Sequence, residues 1–429
     1  MDSFQCIMKF YAFSIGQICS DSKMSNKSVV PGLNWLMGAL KVTALMPWSK
    51  NSKLSLSLVY FMLLINWIEA LRCTAIPFLY KINPELHQTS TMKFQTRIFH
   101  SFTLIYVWNA AITRTVAASI FINQHNHQKM IHIYLTVISK VAMASRRLRK
   151  KMRTMNIVAV GSMMFYCLLN TAGNLTMAVT TTHANPSLYF MRNMLSAAGI
   201  ELPGAFVITF QVFIQFLIDS SYVFSALVLG CTVCFGELFQ DLRLKIEEKT
   251  TTNDNYNKNV ENGMFLMDGT IDLVEIREEW LSISETVESL DSLSSFTTLC
   301  TMATCFSAAL LDIFVLASNP PEAPFIYMWI LWLFAGCLNL LLYSIVASYL
   351  NHTSCSVIET VLKIPNKFLA NDAVTTQQLV LFNGIQISGG VGLSLFGMAV
   401  IRKEIIFTVN LRKIQLDRKF IFLPIIIFR

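Results

Sequence analysis

Charge is scarce in this chain. Only 14% of its 429 residues are Asp, Glu, Lys or Arg, against 54% hydrophobic, and mean hydropathy is positive. Soluble domains carry about a quarter of their residues as charges, so water is the wrong solvent for most of this sequence. Catalytic signatures are missing as well: there is no Walker lysine loop, no His-Glu-x-x-His and no Gly-x-Ser-x-Gly. The seven histidines show no metal spacing, and His125 and His127 lie in a polar segment without an acidic partner at ligand distance. The expectation is a protein that is not an enzyme and carries neither metal nor cofactor. No repeat of 20 to 50 residues is evident, and no inverted pair of broken helices, which argues against a secondary transporter. The first forty residues lack the basic start, long apolar core and small-residue cleavage site of a secretory signal, so the N-terminus is expected to be retained and cytosolic.

The ten cysteines offer no disulfide framework. Cys167, Cys231, Cys234, Cys300, Cys305 and Cys337 fall inside or at the ends of apolar runs, where cysteine behaves as a small hydrophobe. None lies in a segment expected outside the cell, and Cys231-x-x-Cys234 has no second pair to complete a zinc or redox site.

What is present is a set of long apolar runs. A membrane-crossing helix needs about 20 of them in sequence, because its backbone must be satisfied internally once water is gone. Six stretches qualify: Leu54–Leu79, Ile98–Ile122, Met155–Thr180, Gly204–Phe235, Phe296–Ala317 and Phe325–Leu350; a seventh starts after Phe396 and fails. The fold class expected is all-α, a polytopic helical bundle in the lipid bilayer. Residues 1–53 form a cytoplasmic segment, 54–410 the bundle with inner extensions at 123–154 and 236–290, and 411–429 an atypical tail.

Orientation follows from the basic residues. The segments 1–53, 123–154, 232–290 and 350–390 hold 21 Lys and Arg, while the alternate segments 78–97, 181–203 and 318–324 hold 4. Short basic loops stay cytoplasmic, which puts the N-terminus inside. The net charge of +8 then needs no nucleic acid as partner: the run Arg146, Arg147, Arg149, Lys150, Lys151 and Arg153 suits a cytoplasmic anchor beside anionic lipid.

Along the chain, Glu69 and Arg72 lie one turn apart at membrane depth and are placed to pair. Between the second and third spans, Met130, Ile131, Tyr134, Leu135, Ile138 and Val141 recur at helical spacing, so the helices are expected to continue below the bilayer. In 236–290, Leu273, Ile276, Trp280, Ile283 and Val287 form one apolar stripe, suited to helix packing or to subunit assembly. The polar stretch Thr250–Asn262 reads as a linker. Ser318–Pro324 is a tight proline turn too short to hold a ligand, so any outside ligand must enter the bundle.

Polar side chains inside the spans are therefore the candidates for recognition. Tyr106 and Trp108, Asn170 and Asn174, Gln211 and Gln215, Asp219, Asp312, and Tyr327, Trp329 and Trp332 make up the set. Trp108, Gln211, Gln215, Asp312, Tyr327 and Trp332 are the ligand-binding candidates. The two glutamines share a helix face, and amides flanked by aromatics suit a hydroxyl-bearing small molecule. Amides also hold membrane helices together, and aromatics form interfacial belts, so each has a structural reading too. Asp312 stands out as an acid near the outer leaflet with no basic neighbour in sequence.

From Glu278 onward the chain resembles the insect gustatory receptor family. The resemblance is carried by the inner helix EWLSISETVESLDSLSSFTTL, the short-looped pair of spans after it, the segment TTQQLVLFNGIQISGG, and GLSLFGMAVIRKEIIF. In the last of these, Gly397, Met398, Arg402, Lys403, Ile405, Ile406 and Phe407 fall into the register of the family's tail motif. Two departures stand out. Ala399 replaces a usual aromatic, and the family's closing Thr-Tyr and Gln signature gives way to TVNLRKIQLDRKFIFLPIIIFR. Arg412, Lys413, Asp417, Arg418 and Lys419 would each cost roughly 2.5–3.5 kcal/mol at mid-bilayer. The seventh helix is thus expected to be incomplete, the ending that an alternative or misjoined terminal exon would give.

The resemblance implies a plasma-membrane taste receptor of sensory neurons: a seven-helix, ligand-gated cation channel that assembles as a homo- or hetero-tetramer around the last helix and senses a small-molecule tastant. An odorant receptor shares that architecture. A G-protein-coupled receptor would need an external N-terminus and the Asp-Arg-Tyr and Asn-Pro-x-x-Tyr signatures, which are missing.

Overall fold

The computed structural model describes residues 31–47, 53–82, 90–144, 146–155, 218–260, 271–318, 325–365, 373–395 and 400–401, with single positions at 157, 158, 161, 165, 168, 209, 213, 216 and 369. The third span expected from sequence, most of the N-terminal half of the fourth, and the tail beyond Ile401 lie outside them. Among the described residues the chain is helical: α1 (Pro31–Val42), α2 (Lys53–Ile82), α3 (Ser90–Ile122), α4 (Gln124–Met143), α5 (Tyr222–Val260), α6 (Leu273–Ser318), α7 (Phe325–Leu362) and α8 (Ala373–Ser388). One isolated antiparallel bridge, Ser394 with Val400, is the only extended pairing among them.

Five of the described helices are long and apolar enough to cross a membrane: Lys53–Ala75, Leu104–Ile122, Ile218–Thr251, Leu273–Ala317 and Trp329–Leu362. The chain is a multi-pass membrane protein. Helix α6 has 46 residues, and at 1.5 Å per residue it runs about 70 Å, more than twice the hydrocarbon thickness. Helices α5 and α7, at 39 and 38 residues, exceed the bilayer in the same way. The chain divides into two compact units, and the division falls within these helices. The first comprises Met1–Ala142, Arg149–Cys231 and Phe296–Leu340; the second comprises Met143–Leu148, Thr232–Ser295 and Leu341–Arg429.

In the first unit, α2 and α3 lie side by side. The Trp67 indole donates to Thr115 Oγ1 at 3.0 Å, and Trp108 donates to Thr74 Oγ1 at 3.0 Å. Both threonines also back-bond the carbonyl four residues earlier, so each hydroxyl is used twice. Helix α1 is absent from the sequence reading of residues 1–53 as a single cytoplasmic segment. Its buried Leu33, Leu36 and Leu40 recur at i, i+3 and i+7, a stripe too short to register as a span. Its end is held from a distance: Arg114, fully buried on α3, donates to the Thr43 carbonyl at 3.0 Å and to Ser220 Oγ. A cation on the carbonyl end of a helix meets the negative end of its dipole. The next residue, Ala44, has a φ of 51°, a left-handed turn that the wrapped C-terminus imposes on a non-glycine residue.

The expected helical spacing after the second span is met by α4, but its buried face is His127, Met130, Ile133, Val137 and Val141, while Leu135 is exposed. The seam is thus rotated from the apolar stripe read in sequence, and His127 forms a T-shaped contact with Phe121, ring centroids 6.1 Å apart. Tyr134 gives its hydroxyl to Asn34 Oδ1, and burial pushes its phenol up to about 12.

The core of the second unit forms where the expected stripe Leu273, Ile276, Trp280, Ile283 and Val287 is buried along one face of α6. Phe239 of α5 meets Trp280 with ring centroids 6.1 Å apart, and Val357, Ile358 and Val361 of α7 and Phe382 of α8 are wholly buried. Lys245–Glu279 and Lys249–Glu275 bridge α5 and α6 at 3.1 and 3.2 Å; such exposed pairs contribute at most about 1 kcal/mol each. The expected linker at Thr250–Asn262 is helical as far as Val260. Thr250 and Thr251 return their hydroxyls to the carbonyls of Ile246 and Glu247 at 2.8 Å, which lets α5 continue through a polar stretch.

Replacing Arg114 by Met removes the donor held by the Thr43 carbonyl, a loss on the order of 1–3 kcal/mol. Thermal melts of the detergent-solubilised chain should show a clear drop for Arg114→Met and little change for exposed Ser119→Ala.

Candidate functional site

The membrane-crossing part of the first unit holds buried polar side chains without a partner among the described residues. Glu69 and Arg72 pair as the sequence spacing predicts, Arg72 Nε and Nη2 donating to the carboxylate at 2.7 and 2.5 Å. This bidentate pair neutralises itself inside α2. Others find nothing. Asn66 Nδ2, Asn109 Oδ1, Thr113 Oγ1, Thr301 Oγ1, Asn339 Nδ2 and both carboxyl oxygens of Asp312 are buried without a hydrogen-bond partner among the described residues. Unmet groups are uncommon in folded interiors, where a buried polar atom usually has a partner, and those that persist call for a water, an ion or a ligand.

Asp312 is the extreme case. It is 0% exposed, lies on the buried ridge Cys305, Ala308, Asp312 and Val315 of α6, and neither of its acceptors has a partner among the described residues. Helices α6 and α7 approach closely at Cys305 and Gly336: a Cβ on Gly336 would sit 3.6 Å from the Cys305 carbonyl. Counting seven residues outward along each helix of this antiparallel pair brings Asp312 level with Trp329. Trp329 and Trp332 are both buried and pack edge to face, with centroids 5.5 Å apart and an interplanar angle of 82°. A T-shaped pair of the same kind, Trp67 with Trp108 at 5.4 Å and 88°, lies between α2 and α3.

The sequence candidates fall out as follows. Trp108 is half-buried and committed to Thr74 and Trp67, Trp332 is 3% exposed, and Asp312 is buried and open. Tyr327 is 70% exposed in the single chain, on the outward face of α7. Asp219 and Tyr106 are buried. Gln211, Gln215, Asn170 and Asn174 lie outside the described residues, as do Gly397, Met398, Ile405, Ile406 and Phe407 of the tail motif. The structure brings Trp108 together with Trp67, Thr74 and Thr115, and Trp332 together with Trp329. Asn66, Asn109, Thr113, Thr301 and Asn339 were missed in the sequence, because a lone Asn or Thr in an apolar run reads as packing.

A second feature lies in the second unit, where the chain leaves α8 toward the tail. The helix ends on Gly389 and Gly390, with φ of 89° and 70°. Asn351 Nδ2 donates to the Gly389 carbonyl at 3.0 Å. Ser354 both accepts from Val391 N at 3.2 Å and donates to Val391 O at 2.9 Å. Three residues on, the Asp291 carboxylate takes Ser394 N at 2.7 Å and Ser394 Oγ at 2.5 Å. The elbow is thus tied to α6 through Asp291 and to α7 through Asn351 and Ser354. Glycine is required here: a Cβ at Gly390 would fall 2.5 Å from Cys355 Sγ, on a backbone conformation that L residues rarely adopt. In the same unit a Cβ at Gly236 would meet the Tyr349 ring at 2.7 Å; its hydroxyl donates to Glu237 at 2.5 Å.

With the geometry in hand, comparison with known proteins locates the fold. The chain is similar to the structure of the insect olfactory receptor OR5 from Machilis hrabei, with a TM-score of 0.60 at 13% identity, over 91% of this chain and 97% of that one. It is similar as well to the same receptor in complex with eugenol, with a TM-score of 0.63 at 14% identity, over 92% and 97%. No protein-family model and no curated protein matches the sequence. The chain has the fold of these insect chemoreceptors.

Gly390→Ala should destabilise the second unit by roughly 1–3 kcal/mol, through backbone strain and collision together. Asp291→Asn, which keeps one acceptor for Ser394, should cost less. Thermal melts of the two variants against the parent chain test that order.

Proposed function

We propose that this chain is a chemoreceptor subunit of the gustatory type: a ligand-gated cation channel in the plasma membrane, with a cytoplasmic N-terminus, that assembles as a homo- or hetero-tetramer and answers to a small-molecule tastant. The observation that carries the ligand-binding half is Asp312, a wholly buried membrane acid whose two acceptors have no partner among the described residues. Leaving a charge or polar group unpaired at such depth is costly, and its persistence fits a group kept for recognition rather than packing. The channel half is supported by the fold shared with an insect olfactory receptor and by the tail motif at Gly397, Met398, Ile405, Ile406 and Phe407.

An odorant receptor of the same architecture is the second reading. It is favoured by the fact that both similar structures are of an olfactory receptor, one holding eugenol. Response to water-soluble tastants rather than volatile odorants separates the two. Because charged residues interrupt the apolar run after Phe407, the chain is proposed to conduct only with a related subunit that supplies a full last helix.

The test is a small-molecule panel read as evoked cation current in cells expressing the chain with related receptor subunits. Asp312→Ala and Asp312→Asn should shift the response to active compounds by about tenfold or more, the equivalent of one lost charged hydrogen bond, while surface expression stays at the parent level. Unchanged responses at unchanged expression would remove Asp312 from the site. So would loss of expression alone, with no selective effect on any compound.

A further inference from the structure

The cationic run that follows α4 is presented in a way that composition alone does not reveal. Residues 146–155 are helical, and Arg146, Arg147, Arg149, Lys150, Lys151 and Arg153 are all exposed, whereas Leu148 and Met152 are buried. Leu148 and Met152 are four apart and share one face, so the six cations spread over the remaining arc of the helix. No Asp or Glu occurs between Glu85 and Glu201.

A second observation says what this arc faces. Four residues beyond Arg153 a run of apolar positions begins at helical spacing. Ile157, Phe165 and Leu168 are exposed, as is Gly161 between them, and Val158 beside them is exposed too. Apolar side chains standing outward at helical spacing in a membrane protein face acyl chains. Cations that precede such a run by a few residues therefore stand at headgroup level. An RNA or an acidic protein would have no reason to meet a cationic helix continued by a lipid-facing ridge.

Four of the six cations are arginines, whose planar forks match the oxygens of a phosphate two at a time. They fall within eight residues, about 12 Å of helix. A phosphomonoester offers three acceptor oxygens and close to two charges, so one multiply phosphorylated headgroup can engage several forks at once. A phosphatidylserine layer presents single, scattered charges instead. We infer that residues 146–153 form a docking site for a phosphoinositide headgroup of the adjoining leaflet. The inference rests on the chain crossing a membrane and not on which ligand it senses or whether it conducts.

Native mass spectrometry of the purified full-length chain, with a short-chain phosphatidylinositol bisphosphate or with phosphatidylserine added at matched total charge, reads the outcome directly. The bisphosphate should be retained about tenfold better than phosphatidylserine, as expected for clustered basic residues meeting a multivalent headgroup. Replacing Arg146, Arg147, Arg149 and Arg153 together by Gln should abolish that preference while leaving the thermal melt unchanged, since all four are exposed. The same four changed to Lys should keep part of it. Equal retention of the two lipids, or full retention in the Gln variant, would overturn the assignment. Binding of free inositol trisphosphate as tight as that of the lipid would move the site away from the membrane and overturn it as well.

Discussion

Once water is removed, a polar group has to find its partner within the chain, and most of this structure is the working out of that requirement. Long helices satisfy the backbone. Glu69 and Arg72 cancel each other within one turn, and threonines return their hydroxyls to carbonyls four residues back. Arg114 gives its donors to the carbonyl end of α1 and to Ser220. Against this background Asp312 and the unmet Asn and Thr groups stand apart. The chain solves the same problem repeatedly elsewhere, so the groups without a partner among the described residues support the recognition reading better than any count of polar residues could.

The second unit meets a different demand, for there the chain must stop being helical and turn. Two glycines at positive φ end α8, and the freed backbone of Gly389, Val391 and Ser394 is taken up by Asn351, Ser354 and Asp291. The short bridge of Ser394 with Val400, and Ile401 N donating to Leu393 O at 2.9 Å, carry that order to the edge of the tail motif. In the same unit α5, α6, α7 and α8 bury Phe239, Trp280, Val357 and Phe382.

How much of this was legible in the sequence depends on the range of the interaction. Length and hydropathy announce the spans on α2, α3, α5, α6 and α7. The spacing of Glu69 with Arg72 announces their pair, and the stripe from Leu273 to Val287 announces a buried helix face. These are all local. The clasps were not legible, because their partners are 71 residues apart for Arg114 and Thr43 and 103 apart for Asp291 and Ser394. Helix α1 was hidden by being shorter than a span, and Thr250–Val260 read as a linker because composition does not show that threonine hydroxyls are recaptured within the helix. Of the candidate recognition residues, Asp312 was legible as an uncompensated acid. Tyr327 was singled out for its aromaticity, yet an aromatic side chain in a span does not reveal which way it faces.

The proposed function stands or falls on topology, since it requires a cytoplasmic N-terminus and Asp312 in the outer half of its span. Epitope tags placed at the N-terminus and within residues 319–324, read by antibody on intact and on permeabilised cells expressing the full chain, measure it. The N-terminal tag should be reached only after permeabilisation and the loop tag on intact cells; the reverse pattern would contradict the insect chemoreceptor reading and point to a receptor with its N-terminus outside.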